Sequence, residues 1–262
     1  MGKIFAKITK GVWCMGSHVY TGNVRISYYD LDMYGTLKLS ALLRIIHIAA
    51  DINATELGVG FSSLSKHDMT FILQRIGFKF TCFPGYNQNV KVSTWPAEVS
   101  RGTFLRQGVM ESEAGEKMIE WASLWILFDI GNRKIMKPNQ LPAALPSLSG
   151  SGVEISPKKI ALPGELGSPS SSYTHFVRYG DTDTNMHMNN SVYGDVIGNA
   201  LQPIYAEKPF SYNEIQINYL LEAKLGTTIE VSAWQKGESI YVQGLTGGKQ
   251  GFVSCHTATH TS

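Results

Sequence analysis

The sequence predicts an α+β fold made of two tandem copies of one unit, each a long buried helix wrapped by an antiparallel sheet. Two observations carry the prediction. A short acidic pattern returns 151 positions later in the chain, and each occurrence is followed by a helical stretch and then by several strand-like runs.

The pattern reads Tyr29-Asp30-Leu31-Asp32-Met33-Tyr34-Gly35-Thr36 in the first copy. It reads Gly180-Asp181-Thr182-Asp183-Thr184-Asn185-Met186-His187 in the second, and strand-like alternation precedes both. Val92-Ser93-Thr94-Trp95 then matches Val231-Ser232-Ala233-Trp234, and Gln107-Gly108 matches Gln243-Gly244, in the same order in both halves. In copy one, Ser40 fits an N-cap, and residues 41–57 run through Leu42, Ile45, Ile46, Ala49 and Ile52 at helical spacing. Leu43 and Ile48 make that stretch apolar on most sides, as a helix enclosed by a sheet would be. In copy two, Asn189 or Asn190 caps a helix carrying Val192, Tyr193, Ile197 and Leu201, and Pro203 marks its end. Strands are expected over 77–83, 89–99, 103–111 and 117–130, then over 214–221, 228–235, 239–245 and 251–258.

These readings divide the chain into a leader or edge segment over 1–20, a first unit over 21–137, a linker over 138–172 and a second unit over 173–262. The linker holds Pro138, Pro142, Pro146, Pro157, Pro163 and Pro169 among Ser and Gly, a composition suited to crossing a surface, with Ile160-Ala161-Leu162 to pin it.

Composition narrows the function. At 43% hydrophobic and 17% charged, the 262 residues describe a packed globular chain, and a net charge of +2 gives no support to nucleic-acid binding. No run is long enough to span a membrane, and the N-terminus lacks both a continuous signal-type apolar core and a myristoylation motif. Cys14, Cys82 and Cys255 fit neither a disulfide framework nor a zinc site, so a reducing, cytoplasmic setting and no metal are expected. No phosphate loop or nucleotide motif calls for a cofactor.

Differences between the copies locate the chemistry. Asn185 and His187 stand where copy one has Tyr34 and Thr36, and Glu222 stands where copy one has Phe83. Groups that exchange protons and donate hydrogen bonds therefore gather in the second half, next to a helix N-terminus whose N–H groups could meet an oxyanion. Each residue alone also fits a blander role, since Asp and Asn cap helices and a lone His often sits satisfied in a core.

The run from Arg178 to Asn190 resembles the signature of the acyl-ACP thioesterases of plants and bacteria. Tyr219-Leu220-Leu221-Glu222-Ala223 resembles that family's later strand. Tyr28 to Thr36, Gly58 to Phe61 and Trp121 to Leu127 resemble its N-terminal unit. The resemblance covers residues 20–262 and implies two tandem hot-dog domains, with hydrolysis of fatty acyl-ACP to free fatty acid and a place in fatty acid biosynthesis. It implies acyl carrier protein and a fatty acyl chain as partners, and it leaves a homodimer open. It also implies a catalytic set of Asp183, Asn185, His187 and Glu222, in which Asp183 supports the Asn, Asn185 and His187 position water and thioester, and Glu222 is the base. The family's Cys beside this Glu is Ala223 here, which favours direct attack by water and leaves an anhydride with a carboxylate as the other route. The first half would hold the acyl chain. Met33, Tyr34, Leu37, Leu42, Ile46 and Met69 are candidate lining residues, although each fits a plain core equally well. An acyl-CoA thioesterase, a hot-dog dehydratase and a catalytically silent acyl-carrier binding protein are the competing readings.

Overall fold

The structure is a computed structural model that describes residues 18–148, 152–205, 209 and 212–257. The leader expected over 1–20 lies almost wholly outside the described residues. Strand β1 (Tyr20–Arg25) leads through a short helical turn to helix α1 (Leu39–Glu56) and the one-turn helix α2 (Phe61–Leu64). Strands β2 (Met69–Phe80), β3 (Asn89–Ser100), β4 (Thr103–Ser112), β5 (Lys117–Asp129) and the short β6 (Lys134–Ile135) follow. The second half repeats the order as β7 (Ser171–Phe176), α3 (Val192–Tyr205), β8 (Glu214–Tyr219), β9 (Thr228–Lys236), β10 (Ser239–Thr246) and β11 (Lys249–Thr257).

All the described strands join one antiparallel sheet in the order β1-β3-β4-β5-β2-β8-β11-β10-β9-β7, with β6 hanging off β5. The two halves are mirror-ordered and meet where β2 pairs with β8, Arg75 opposite Asn218 and Phe78 opposite Ile215. Joining the two units edge to edge removes one open strand edge from each. The α1 and α3 helices lie against this sheet and touch each other. A Cβ on Gly194 would stand 2.4 Å from the backbone N of Ser40, so a glycine is what lets the helices approach.

Helix α1 buries Leu42, Leu43, Ile45, Ile46 and Ala49, each large aliphatic side chain worth roughly 1.5–3 kcal/mol when removed from water. The expected all-round burial is narrower than that, because Ile48 is 54% exposed. Lys38, not Ser40, holds the N-cap position. The Ser40 hydroxyl instead donates to Asp195 Oδ1 on α3 at 2.5 Å, tying the two helices together. Pro203 does not stop its helix, which runs on to Tyr205. Strand β2 starts at Met69 rather than Gly77, because a bulge between Leu73 and Arg75 breaks the alternation that would have revealed it.

The strand registers test the repeat. Tyr20 faces Thr94 in the first half and Ser171 faces Ala233 in the second, which places Val92 and Val231 at equivalent positions. The Gln-Gly match is displaced by two residues. Val231 faces Gly244, but its counterpart Val92 faces Met110, and Gly108 faces Thr94. Each glycine lies under an aromatic ring of the next strand, where a Cβ would come within 2.1 Å of Trp121 or of Phe252. The requirement for space recurs, but at different rungs of the ladder.

The segment between the halves is stitched to β8 by side-chain amides. Gln216 Oε1 accepts from Lys158 N and Asn218 Oδ1 accepts from Ile160 N, both at 2.9 Å, while Asn218 Nδ2 donates back to the Lys158 carbonyl. Gln216 and Asn218 are buried, and this pairing supplies the hydrogen bonds their burial demands.

Candidate active site

Asp183 shapes the turn that carries the candidate residues. Its Oδ1 accepts the Asn185 N–H at 2.8 Å, and its N–H donates to the His187 carbonyl at 3.0 Å. Met186 takes φ +64, a left-handed conformation that the turn enforces. Asp32 builds the same turn in the first half, accepting from Tyr34 N and Thr36 N at 2.9 Å, with Gly35 at φ +79. The repeated aspartates are therefore turn-builders in both halves, which is the reason the pattern recurs. The Asp183 side chain also accepts from Asn189 Nδ2, 3.0 Å from its Oδ2.

Backbone pairing then brings the turn to the end of β8. His187 bridges Lys224, and Met188 N donates to the Ala223 carbonyl at 2.7 Å. This sets His187 Nε2 3.0 Å from Glu222 Oε2, with side chains 24% and 35% exposed. Glu222 holds the position of Phe83: Leu220 and Leu221 N–H groups both donate to the Gly251 carbonyl, as Thr81 and Cys82 do to that of Met118.

Two neighbours were not legible in the sequence. Arg133, in the turn between β5 and β6 of the first half, reaches Glu222 Oε2 at 3.6 Å. Tyr193 on α3 is buried beside the same strand. Burial pushes its hydroxyl up to about 12, a hydrogen bond with the Ala223 backbone opposes this, and the Glu222 charge adds to the rise. Tyr193 is thus a neutral phenol at neutral pH. A signal for Arg133 would have needed knowledge of the cross-half pairing, since no local pattern marks it.

The start of α3 is already hydrogen-bonded. Asn189 Oδ1 accepts from Ser191 N at 2.9 Å and from Ser191 Oγ at 2.7 Å, and Val192 N donates to the Asn189 carbonyl. The Ser191 and Val192 N–H groups at this terminus are thus engaged in capping. Asn185 is exposed in the same turn as His187 and forms no side-chain hydrogen bond among the described residues.

The six residues suggested for the acyl chain are not brought together. Met33 is 82% exposed in its turn, whereas Leu37, Leu42 and Ile46 are packed in the main core. Tyr34 is half-buried, and Met69 packs on a smaller cluster around Leu64 and Phe104. A half-open cavity of about 210 Å³ does lie in the first half, between the C-terminal part of α1 and strands β2, β4 and β5. Its walls include Phe61, Leu64, Phe71, Phe104 and Trp125. Among the described residues no group of three His, Cys, Asp or Glu side chains could hold a metal ion, and no helix is long and apolar enough to cross a membrane.

Comparison with known proteins agrees with this architecture. Residues 17–140 match the acyl-ACP thioesterase N-terminal domain, and residues 167–260 match the acyl-ACP thioesterase C-terminal domain. A chloroplastic dodecanoyl-[acyl-carrier-protein] hydrolase of Cinnamomum camphora is 23% identical over 193 residues, covering 68% of this chain and 50% of that protein. The chain spans about half the length of the curated relatives it matches. Among solved structures, a 12:0-ACP thioesterase from Umbellularia californica superposes with a TM-score of 0.78 at 17% identity, covering 94% of this chain and 98% of the other. An acyl-ACP thioesterase from Bacteroides thetaiotaomicron gives 0.73 at 20% identity, covering 92% and 97%. These superpositions establish the double hot-dog fold, and the two domain matches establish that the chain belongs to the acyl-ACP thioesterase family.

Proposed function

We infer that the protein hydrolyses fatty acyl thioesters carried on acyl carrier protein, releasing the free fatty acid. The observation that carries this reading is the 3.0 Å contact between His187 Nε2 and Glu222 Oε2, with both side chains partly open to solvent. Glu222 takes a proton from water as its oxygen bonds to the thioester carbon. Asn185 and His187 donate to the resulting oxyanion. Collapse of the tetrahedral species breaks the C–S bond, and the departing thiolate takes the proton back. Asp183 acts through the turn, by holding Asn185 and His187 in place. The apolar cavity of the first half is the place for the acyl chain, and discrimination between chain lengths there is worth roughly 1–3 kcal/mol per methylene.

The test is thiol release by the purified chain from acyl-ACPs of graded length, with matched acyl-CoAs as controls. Hydrolysis of acyl-ACP that disappears in folded Glu222→Gln and His187→Ala proteins is the expected result. Absence of thiol release at every length, or full activity in both variants, overturns the reading.

A further inference from the structure

The cavity of the first half is apolar over most of its wall, yet the Arg106 guanidinium lines it with part of its donor set unused. His47 Nε2 is buried without a hydrogen bond among the described residues, and burial holds its imidazole down at about 4, so the ring is neutral near pH 7. Arg106, on β4, is 9% exposed and lines the same cavity. Its Nη1 donates to Asn53 Oδ1 at 2.8 Å and to Thr94 Oγ1 at 3.3 Å. Its Nε and Nη2 donate to no acceptor among the described residues, and no carboxylate pairs with it. Asp51, the carboxylate on the cavity wall, is exposed and makes no ion pair with Arg106. Trp125 offers nothing polar, because its indole N–H is already spent on Ser123 Oγ at 2.8 Å.

A guanidinium buried without a counter-charge is costly, and the free Nε/Nη2 edge is the fork that fits two carboxylate oxygens. A hydrocarbon end placed here would leave the Arg106 edge unmet. We propose that the cavity binds an aliphatic chain by a carboxylate seated on the Nε/Nη2 edge of Arg106, with the chain lying along Phe71, Phe104 and Trp125. The proposal rests on the reading that an aliphatic chain enters this half of the protein, and it adds the chemistry of that chain's end. Two sources share the chemistry: a free fatty acid entering carboxylate first, and a thioester whose far end carries a second carboxylate.

Isothermal titration calorimetry of the full chain with decanoate and with decanol tests it without requiring turnover. Decanoate is expected to bind about tenfold or more tightly than decanol, the scale of a charge-assisted pair. Arg106→Met should erase that preference, and Arg106→Lys should keep part of it. If Arg106→Met does not fold, Ala54→Trp, which fills the cavity from α1 and leaves the guanidinium intact, must abolish decanoate binding in folded protein. Equal affinity for the two ligands in the wild type, an unchanged preference in folded Arg106→Met, or decanoate binding that survives Ala54→Trp would each overturn the proposal. The sources separate in hydrolysis. Faster cleavage of an ω-carboxydecanoyl thioester than of a decanoyl thioester, lost in Arg106→Met, places the far end of the substrate at Arg106. Competitive inhibition by decanoate without that preference places the free acid there. A chain that binds decanoate through Arg106 and cleaves no thioester upholds this proposal while overturning the hydrolytic reading.

Discussion

Glu222 Oε2 is shared between two partners of different standing: His187 Nε2 from its own half at 3.0 Å and Arg133 Nη2 from the other half at 3.6 Å. The first contact is short enough to pass a proton. The second is long, and its guanidinium is 66% exposed, a setting in which ion pairs contribute roughly 0–1 kcal/mol. Glu222→Gln is therefore expected to lower kcat by about 10² to 10⁴, the range for loss of a general base, while Arg133→Ala lowers kcat/KM by less than about fivefold. Steady-state kinetics with melting temperatures on both variants checks this. Equal losses in two folded proteins would move the essential role from the carboxylate to the ion pair.

Asp32 and Asp183 build the same turn, but Asn185 and His187 ride on only one of the two copies. Asp32→Ala and Asp183→Ala should each cost about 1–3 kcal/mol of stability, because each leaves turn N–H groups without an acceptor. Turnover should separate them: Asp183→Ala loses activity along with stability, and Asp32→Ala keeps it at temperatures where it is folded. Urea unfolding paired with activity settles the matter, and equal activities in the two variants would detach the turn from the chemistry.

The duplication was legible in the sequence because its clearest marker is local. Asp32 and Asp183 each accept backbone N–H groups within a few residues of chain, and the position three places on is left-handed in both copies, filled by Gly35 in one and forced on Met186 in the other. Asn185, His187 and Glu222 stood out as differences between the copies, and backbone pairing at Lys224 explains why His187 and Glu222 meet. What stayed hidden depends on contacts distant in sequence. Gln107-Gly108 looked equivalent to Gln243-Gly244 because both glycines make room for a ring, a need that does not respect register. Leu42 and Ile46 looked like tunnel residues because an apolar helical face does not say whether it meets a ligand or a sheet. Arg106 and His47 gave no pattern at all, since their cavity is assembled from α1, β2, β4 and β5.

Gly194 and Gly198 lie one turn apart on α3 and have opposite surroundings. A Cβ at Gly194 would meet the α1 backbone at Ser40, whereas at Gly198 nothing lies within 4 Å. Gly194→Ala is expected to destabilise by about 1–3 kcal/mol through helix displacement. Gly198→Ala should stabilise by about 0.4–1 kcal/mol by restricting the unfolded chain. Opposite shifts in urea midpoint are the expected result, and matching shifts would show that the α1–α3 approach is not under steric control.

His256 supplies the last prediction, which concerns acid stability. The ring is 1% exposed, its Nε2 lies 2.9 Å from Ser254 Oγ, and its Nδ1 has no partner among the described residues. Burial holds the imidazole down at about 3, against 6.5 when exposed in the unfolded chain. The unfolded state therefore binds the extra proton first as pH falls. Stability from keeping this ring neutral is complete above 6.5 and is lost progressively towards 3. His47, held down at about 4 by burial, acts in the same direction. The carboxylates with lowered values, Asp129, Glu154 and Glu214, begin to matter only as pH approaches their exposed values of 3.8 to 4.5. The window between pH 4.5 and 6.5 thus isolates the histidines. Urea midpoints measured across it should fall with decreasing pH in the wild type. His256→Gln, which retains a hydrogen-bonding side chain but cannot titrate, should show a shallower fall even if its stability at pH 7 is lower. An identical slope in the two proteins would mean that His256 takes up its proton without unfolding, and that the buried Ser254–His256 pair plays no part in acid sensitivity.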